Sequence, residues 1–262
     1  MGTRERRERE MAIREQTFID AAVRQISEQG LLSLQMARVA RDCDYATGTL
    51  YQHFASKEDL LLAICADQAN GRAEVFARVA EWQAPSRDRM FALAVGDMLF
   101  ARNNPDHFRL HQYIFTEVVW RAASVERRQA VLAAHQPLGL AVDRIVRDAI
   151  ESRDLQSRAR PTLELALGQW SMTVGMHNLV HAEGLLDFFD LHEPYRILLR
   201  HIQINLNGLG WQPLFDNPFD DTVLDDKVEH ICNTLFRDLC NPSRQTREPH
   251  TTTDTEENRR EK

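Results

Sequence analysis

The stretch from residue 34 to residue 59 constrains the fold of this 262-residue chain more than any other part of it. Its sequence, LQMARVARDCDYATGTLYQHFASKED, predicts two short helices joined by a tight turn and followed by the capped start of a third helix. Met36 and Val39 share an apolar face on the first helix, and Leu50 and Phe54 share one on the second. Such a pair is a helix-turn-helix, whose second helix enters the major groove of DNA.

The turn and the cap that follow from this pattern depend on short polar residues. Asp44 is of the type that accepts a left-handed or turn conformation. Ser56 supplies a hydroxyl for the N-cap of the next helix, and Glu58 and Asp59 place acids in its first turn, near the positive end of the helix dipole. We therefore expect the chain to bend at Asp44 and to present the segment from Thr47 to His53 outward.

These residues resemble the TetR family of bacterial transcriptional regulators. The upstream run from Phe18 to Val23, with Ile26 and Gly30, is similar to the first helix of that family, and the resemblance covers about the first quarter of the chain. The positions that match the family signature are Val39-Ala40, Gly48-Thr49-Leu50-Tyr51, Phe54, Lys57-Glu58 and Leu60.

Four positions depart from the family pattern. Asp44 stands where the turn prefers Gly, Ala46 where a Ser or Thr cap is preferred, Gln35 where Thr often opens the second helix, and Ile26 where Phe is usual. Each of the first three weakens a local cap or turn, and a lost cap costs about 1 kcal/mol. None of them abolishes the motif.

The hydrophobic pattern along the chain predicts an all-α protein. Every segment with a recognisable pattern is helix or loop, and in none do apolar and polar residues alternate as they do in a strand. With the resemblance, we expect an N-terminal three-helix helix-turn-helix DNA-binding domain at residues 1–55, of which residues 1–11 form a flexible arm. A larger C-terminal helical ligand-binding and dimerisation domain is expected at residues 56–240, opened by one long helix from Ser56 to about Trp82 with a soft point at Gly71. Residues 241–262 have almost nothing to bury, which predicts a disordered tail.

The resemblance implies a set of DNA contacts. Thr47 and Thr49 are expected to reach base edges or nearby phosphates, while Tyr51 and His53 hold the backbone. The complete expected DNA-binding set is Gln35, Thr47, Gly48, Thr49, Tyr51, His53 and Lys57.

Composition limits how such contacts work. The net charge is −7, which excludes a wholesale basic coat, so DNA binding must rest on where charges point. The Arg- and Glu-rich run at residues 1–14 is either a solvated, frayed segment or a phosphate-reaching arm.

Four cysteines without CxxC spacing favour a reduced cytoplasm over redox sensing. No apolar run reaches the roughly 20 residues that span a bilayer, so we expect a cytoplasmic protein without a membrane partner.

The larger region is expected to bind a small, mainly apolar effector whose entry tilts the long helix after residue 56. Residue by residue, the candidate side chains are more often ordinary core than pocket. The candidates are Phe91, Met98, Phe108, His111, Phe115, Trp120, Trp170, Met172 and His177.

A stripe of small residues, Gly168, Ser171 and Gly175, lies along the predicted helix from Thr162 to about Glu183. Glycine inside a helix costs roughly 1 kcal/mol relative to alanine. Close approach of another helix explains it either as a symmetric interface or as packing within one chain. The family resemblance favours a homodimer, whose two recognition helices fit a palindromic operator.

Other classes of function find less support. His177 and His181 have the i, i+4 spacing of a metal pair, but no third ligand has an assignable spacing, so neither metal nor cofactor is expected. The chain has no glycine-rich phosphate loop, nucleophile elbow or HExxH motif, and we expect no enzyme. A helical small-molecule-binding protein or a helical enzyme without a DNA role remains the alternative, although it leaves residues 34–60 unexplained.

Overall fold

A computed structural model describes residues 2–240, and every regular element in that range is a helix. The prediction of an all-α fold is confirmed. None of these helices is both long and apolar enough to cross a bilayer. The helices are α1 Thr3–Gln29, α2 Met36–Asp42, α3 Thr47–Tyr51, α4 Lys57–Asp67, α5 Ala69–Glu81, α6 Ser86–Asn103, α7 Pro105–Ile114, α8 Glu117–Ala122, α9 Val125–Glu151, α10 Thr162–His181, α11 Leu185–Phe188, α12 Pro194–Gly208, α13 Asp221–Leu235 and α14 Arg237–Cys240.

The first three helices enclose a small apolar core. Phe18 of α1, Val39 of α2, Leu50 of α3 and Phe54 just beyond α3 are all fully buried. Gly30 ends α1 with a φ of 84°, a conformation that residues with a Cβ rarely adopt, and its N–H donates to the carbonyl of Ile26. This core fixes α3 against α1 and α2.

The predicted bend between α2 and α3 is present. Asp44 has a φ of 60°, in the left-handed region that its short polar side chain tolerates. The N–H groups of Asp44 and Tyr45 donate back to the carbonyls of Arg41 and Ala40, which satisfies the last turn of α2. The two helices are therefore separate, as the sequence indicates.

Two expected boundaries are wrong. Residues 3–11 belong to α1 and do not form a flexible arm: i, i+4 ion pairs such as Arg4 with Glu8, at 2.8 Å, support a helical start. The long helix expected from Ser56 to Trp82 is divided at Gln68 into α4 and α5. The cap at its start is as predicted, because Ser56 Oγ accepts from the N–H of Asp59 at 3.1 Å.

The larger part of the molecule is built around α6, which is buried along almost its whole length by α5, α9, α10, α12 and α13. Its polar residues are paired inside. Arg87 donates to the carbonyl of Trp211 at 2.6 Å and to Gln203 Oε1 at 2.8 Å. Trp211, in the loop between α12 and α13, is fully buried, whereas Leu214 and Phe219 of the same loop are 50% and 70% exposed. The predicted disordered tail at residues 241–262 lies outside the described residues.

Candidate DNA-binding surface and effector region

Helix α3 presents an outer face that no other element of residues 2–240 covers. Its inner side chain, Leu50, is fully buried, whereas Tyr51 is 50% exposed and Gly48 meets nothing within 4 Å of where a Cβ would stand. Thr47 and Thr49 are half-buried. The segment is thus held from one side only, as a helix that enters a DNA groove must be.

Gln35 is exposed at the N-cap of α2, beside this face, with its backbone N–H donating to Gln25 Oε1 at 3.2 Å. Lys57 is half-buried, and its amine lies 3.4 Å from the carbonyl of Leu32. Both side chains lie at helix starts, where phosphate contacts are common. These positions agree with the roles expected from the sequence, which remain predictions.

His53 is the exception among the expected DNA contacts. Its side chain is only 2% exposed and lies 3.7 Å from the carboxylate of Glu15. Its ring packs edge-on against Phe18, with centroids 5.5 Å apart. The imidazole therefore belongs to the core between α1 and α3, and the sequence-based assignment of His53 to the DNA backbone is wrong. His53 follows the buried Leu50 by three residues, and this helical spacing places the two on neighbouring parts of one face, a signal that was available in the sequence.

Two exposed side chains that the sequence analysis did not select flank α3. Tyr45 is 38% exposed, and its ring lies under the guanidinium of Arg14 at 5.4 Å. Gln52 is exposed at the C-terminal end of the helix. Both residues are polar and lie next to the turn or the recognition segment in the sequence, and these two features could have identified them as candidate DNA contacts.

Charges around this surface are balanced. Arg38 lies 3.6 Å from Asp42 and 3.9 Å from Glu28, so α2 offers little free positive charge there. Arg41 is exposed on the same helix, and Asp44 is exposed at the turn. Binding to DNA through this face depends on individual hydrogen bonds more than on a positive field.

One side chain connects this surface to the larger region. Arg127, in the first turn of α9, donates to Glu15 Oε1 at 2.8 Å and to the carbonyl of His53 at 3.1 Å. Its guanidinium also lies 4.9 Å from the centre of the Phe54 ring. One turn away, the N–H of Ser124 donates to the carboxylate of Asp59 at 2.7 Å. The start of α9 is therefore tied to α1, to the end of α3 and to α4.

Part of the expected effector set forms a continuous row of rings. Phe108 lies 4.4 Å from His177, His111 lies 4.8 Å from Phe115, and Phe115 stacks on Trp120 at 5.0 Å (centroid distances). Phe108 and His111 are themselves 6.3 Å apart, which joins the pairs.

His135 of α9, which the sequence analysis did not select, extends this row at 5.2 Å from His111.

Other members of that set lie elsewhere. Phe91 and Met98 are buried in the main core around α6, and Met172 packs against that core. Trp170 is 62% exposed, and it shares the outer face of α10 with Leu163, which is 53% exposed. The assignment of Trp170 to an enclosed effector site is therefore wrong, because α10 turns this ring away from the interior.

A buried polar network lies behind the row of rings. Arg72 donates to both oxygens of Asp97, at 2.6 and 3.0 Å, and His177 Nε2 lies 3.6 Å from Asp97. The hydroxyl of Tyr195 is 3.1 Å from His177 Nδ1. Burial raises the pKa of the Asp97 carboxyl, but Arg72 and His177 outweigh it and hold that pKa well below its usual range.

The neighbouring imidazoles are kept neutral. Burial, with a smaller contribution from the Arg72 charge, lowers the pKa of His107 to about 4 and that of His111 to about 2. Burial also lowers the pKa of His135. At neutral pH this part of the interior presents uncharged imidazoles beside one paired arginine and carboxylate.

The small-residue stripe on α10 has two explanations. A Cβ on Gly168 would stand 3.0 Å from the side-chain nitrogen of Asn205 on α12, so packing within the chain accounts for that glycine. Gly175 meets nothing within 4 Å, and Ser171 is exposed. The latter two remain open to a partner.

His177 and His181 have different neighbours, since His181 Nδ1 lies 3.0 Å from Gln112 Oε1. Within residues 2–240, no group of three or more His, Cys, Asp or Glu side chains has an arrangement that holds a metal ion.

Comparison with known proteins gives a consistent assignment for the N-terminal region. The family model described as bacterial regulatory proteins, tetR family, matches residues 18–64. The fatty acid metabolism regulator protein of Bacillus subtilis (strain 168) is 25% identical over 146 residues, which are 53% of this chain and 69% of that protein.

Solved structures extend the similarity to most of the fold. A tetR-family regulatory protein from Rhodococcus RHA1 superposes with a TM-score of 0.55 at 18% identity, covering 75% of this chain and 97% of that one. The regulator FadR from Bacillus subtilis, in complex with stearoyl-CoA, gives a TM-score of 0.52 at 16% identity, covering 76% and 99%. At such identities the similarity shows the fold alone.

Proposed function

Because the chain belongs to the TetR family of bacterial regulators, we propose that it is a transcriptional repressor that binds a palindromic operator and releases it when a small, mainly apolar effector binds. The observation that carries this proposal is α3, which is fixed to a core by Leu50 and Phe54 while its other face is uncovered. A helical enzyme or a simple ligand-binding protein has no use for such a face.

We assign the direct contacts to the exposed side of α3 and its flanks. Thr47 and Thr49 meet base edges or nearby phosphates, and Gly48 allows the backbone between them to approach the DNA. The hydroxyl of Tyr51, the amine of Lys57 and the amide of Gln35 bind phosphates. Tyr45 and Gln52 join this set because they are exposed on either side of the helix.

A homodimer supplies the second recognition helix. The outer face of α10 exposes Leu163, Leu167 and Trp170, at 53%, 48% and 62%. Such an uncovered apolar face on a helix is typical of an interface between protein chains. Two copies then place their α3 helices in successive major grooves about 34 Å apart.

The effector region of this proposal is residues 56–240, with residues 1–55 as the DNA-binding domain. The row of rings from Phe108 to Trp120 offers aromatic contact to an apolar ligand. The similarity in fold to a regulator bound to stearoyl-CoA supports a ligand with a long apolar chain.

Ligand binding reaches α3 through α4 and through the start of α9. Arg127 holds the carbonyl of His53, so a shift of α9 moves the end of the recognition helix. A tenfold loss of operator affinity requires only about 1.4 kcal/mol of differential binding between two conformations.

The proposal is tested by selecting duplexes from a random library with the purified protein and measuring their affinity by fluorescence anisotropy. We expect a palindromic sequence whose affinity falls steeply as salt rises from 50 to 200 mM, as phosphate contacts require. A protein that selects no sequence, or binds DNA without salt dependence, is not a regulator, and the alternative of a ligand-binding protein or an enzyme would replace this proposal.

A further inference from the structure

A cleft of about 390 Å³ opens where α4 gives way to α5 and α6 gives way to α7. Phe100 and Gly71 form its apolar walls: a Cβ on Gly71 would stand 3.2 Å from the Phe100 ring, so the glycine keeps this space open. The volume lies within the range of small-molecule sites. The cleft shares none of the side chains expected from the sequence to bind the effector.

Hydrogen-bond acceptors predominate in the polar lining of this cleft. Asn103 and Asn104 direct their amide nitrogens to the carbonyls of Leu239 and Phe100, which leaves their amide oxygens as acceptors. Asp106 contributes a carboxylate, one of whose oxygens pairs with the exposed Arg109 at 3.0 Å. Gln68 already accepts from His107 through its amide oxygen, so it offers the cleft its amide N–H groups.

His107 is the buried group that marks the cleft as a binding site. It is 7% exposed, and its Nδ1–H donates to Gln68 Oε1 at 3.3 Å. Its Nε2 is buried and has no hydrogen-bond partner among residues 2–240. In this tautomer Nε2 carries a lone pair, so it requires a donor. Burial lowers the pKa of His107 to about 4, which keeps the ring neutral and able to accept at physiological pH.

The charge of the lining has one sign. Among the described residues that line the cleft, none is Lys or Arg, and Asp106 is the one ionised side chain. The four helix ends that meet here oppose one another: α4 and α6 end at the cleft, and α5 and α7 begin there, so their dipoles largely cancel. The side chains, and not the helices, therefore set the electrostatic preference.

We propose that this cleft binds an organic ammonium ligand, whose N–H groups donate to the acceptors of the lining and whose apolar portion lies over Phe100. An ammonium head is the group that satisfies a carboxylate, a neutral imidazole and amide oxygens together, and it is also attracted to the face of an aromatic ring. An anionic head meets lone pairs and one carboxylate, and the cation beside them, Arg109, is already paired with Asp106. Binding here rests on the cleft alone, whereas any effect on operator affinity rests on the proposed function.

The first experiment compares three probes of equal chain length: octylammonium, octanol and octanoate. Binding to the full-length protein is measured by isothermal titration calorimetry at pH 7. We expect octylammonium to bind at least tenfold more tightly than octanol, and octanoate to give no measurable heat. Equal affinities for the three probes, tighter binding of octanoate, or no binding of octylammonium would each overturn the proposal.

Variants locate the site. Asp106→Asn removes the charge and should weaken octylammonium binding about tenfold, while Asp226→Asn, which removes the same charge from the exposed side of α13, should leave it unchanged. Gly71→Leu should fill the space beside Phe100 and abolish binding without removing any polar group. If Asp106→Asn and Gly71→Leu are folded by circular dichroism and bind as the unchanged protein does, the ligand sits elsewhere and the assignment to this cleft is wrong.

The operator assay separates this inference from the proposed function. If octylammonium binds the cleft without changing operator affinity, the assignment of the cleft as an ammonium site stands, and the cleft has no role in regulation. Loss of operator binding with octanoate but not with octylammonium supports the regulator and places its effector outside the cleft, whose ammonium preference is then decided by the calorimetry.

Discussion

The N-terminal helices and the helices that follow them bury different kinds of side chain. Around α3 the buried set is almost wholly apolar: Phe18, Val39, Leu50 and Phe54 have no exposed surface. Around α6 the buried set includes Arg87, Arg89 and Asp97 together with apolar residues. The first core contains few polar groups, among them the imidazole of His53, whereas the second contains a paired network of charged ones.

This difference has an energetic consequence. A small apolar core tolerates changes on its surface, because outward side chains such as Tyr51 carry little of its stability. A core that contains charges depends on every partner, because a charge left alone inside a protein is strongly destabilising. DNA contacts can therefore be altered singly, while substitutions near α6 should affect folding and ligand response together.

Removal of the Asp97 carboxylate should have the largest effect. Asp97→Ala leaves the guanidinium of Arg72 buried without its partner, and we expect a loss of about 3–5 kcal/mol in the free energy of unfolding, measured by urea denaturation. Glu117→Ala breaks the exposed pair with Arg121 and should cost no more than about 1 kcal/mol. Similar losses in the two variants would mean that the buried pair beside α6 is no more sensitive than an exposed one, and the energetic consequence drawn here would be wrong.

Acid should weaken the larger region first, through the histidines. The folded-state pKa of His107 is about 4, below its ordinary value of about 6.5. The unfolded chain therefore binds the proton more readily, and stability falls as pH drops from about 6.5 toward 4, by roughly 3 kcal/mol for this group alone. The free energy of unfolding should be measured from pH 7.5 to 4 for the unchanged protein and for His107→Phe, which should show a shallower slope. An identical slope would show that His107 does not titrate within the folded core.

Arg127 joins the two regions, and its removal should uncouple them. Arg127→Ala eliminates the hydrogen bonds to Glu15 and to the His53 carbonyl, and charged hydrogen bonds of this kind contribute about 1.5–3 kcal/mol. We expect tryptophan fluorescence and far-UV circular dichroism to report two separate melting transitions. Arg121→Ala, which removes an arginine from exposed α8, is the matched control. A single transition at the original temperature would show that the remaining contacts, among them Ser124 with Asp59, carry the coupling.

The sequence was sufficient for the N-terminal region because its polar and apolar residues segregate. The left-handed Asp44, the capping Ser56 and the buried faces of α2 and α3 each follow from a local rule. The break of the long helix at Gln68 does not follow from a local rule. By local propensity Gly71 is the stronger helix breaker, but the helix breaks at Gln68, where His107 of α7 packs against it. That contact joins residues distant in sequence, and no local pattern encodes it.

The larger region was less predictable for a physical reason. Helix α6 is covered on nearly every side, so its buried residues show no helical stripe that separates ligand-lining positions from core. Phe91 and Met98 were selected for their size and hydrophobicity, and both lie in the main core. Trp170 shows the opposite failure: its apolar character predicted burial, although α10 exposes it on an uncovered face. Size and hydrophobicity show which side chains can be buried. Which element or chain covers a given face is known only from the tertiary or quaternary structure.

The smallest expected effect separates Tyr51 from His53, two residues that the sequence placed in one role. Tyr51→Phe removes only an exposed hydroxyl, and the loss of one phosphate hydrogen bond of about 1 kcal/mol should weaken operator affinity about fivefold without changing stability. His53→Gln should instead lower the free energy of unfolding, because it removes the imidazole ring that packs against Phe18. The operator affinity of the folded fraction should stay unchanged. Anisotropy titrations and urea denaturation of both variants test this exchange of effects. Weaker operator binding by a fully stable His53→Gln would return the imidazole to the DNA surface, and the boundary drawn here between the core and the recognition face of α3 would have to move.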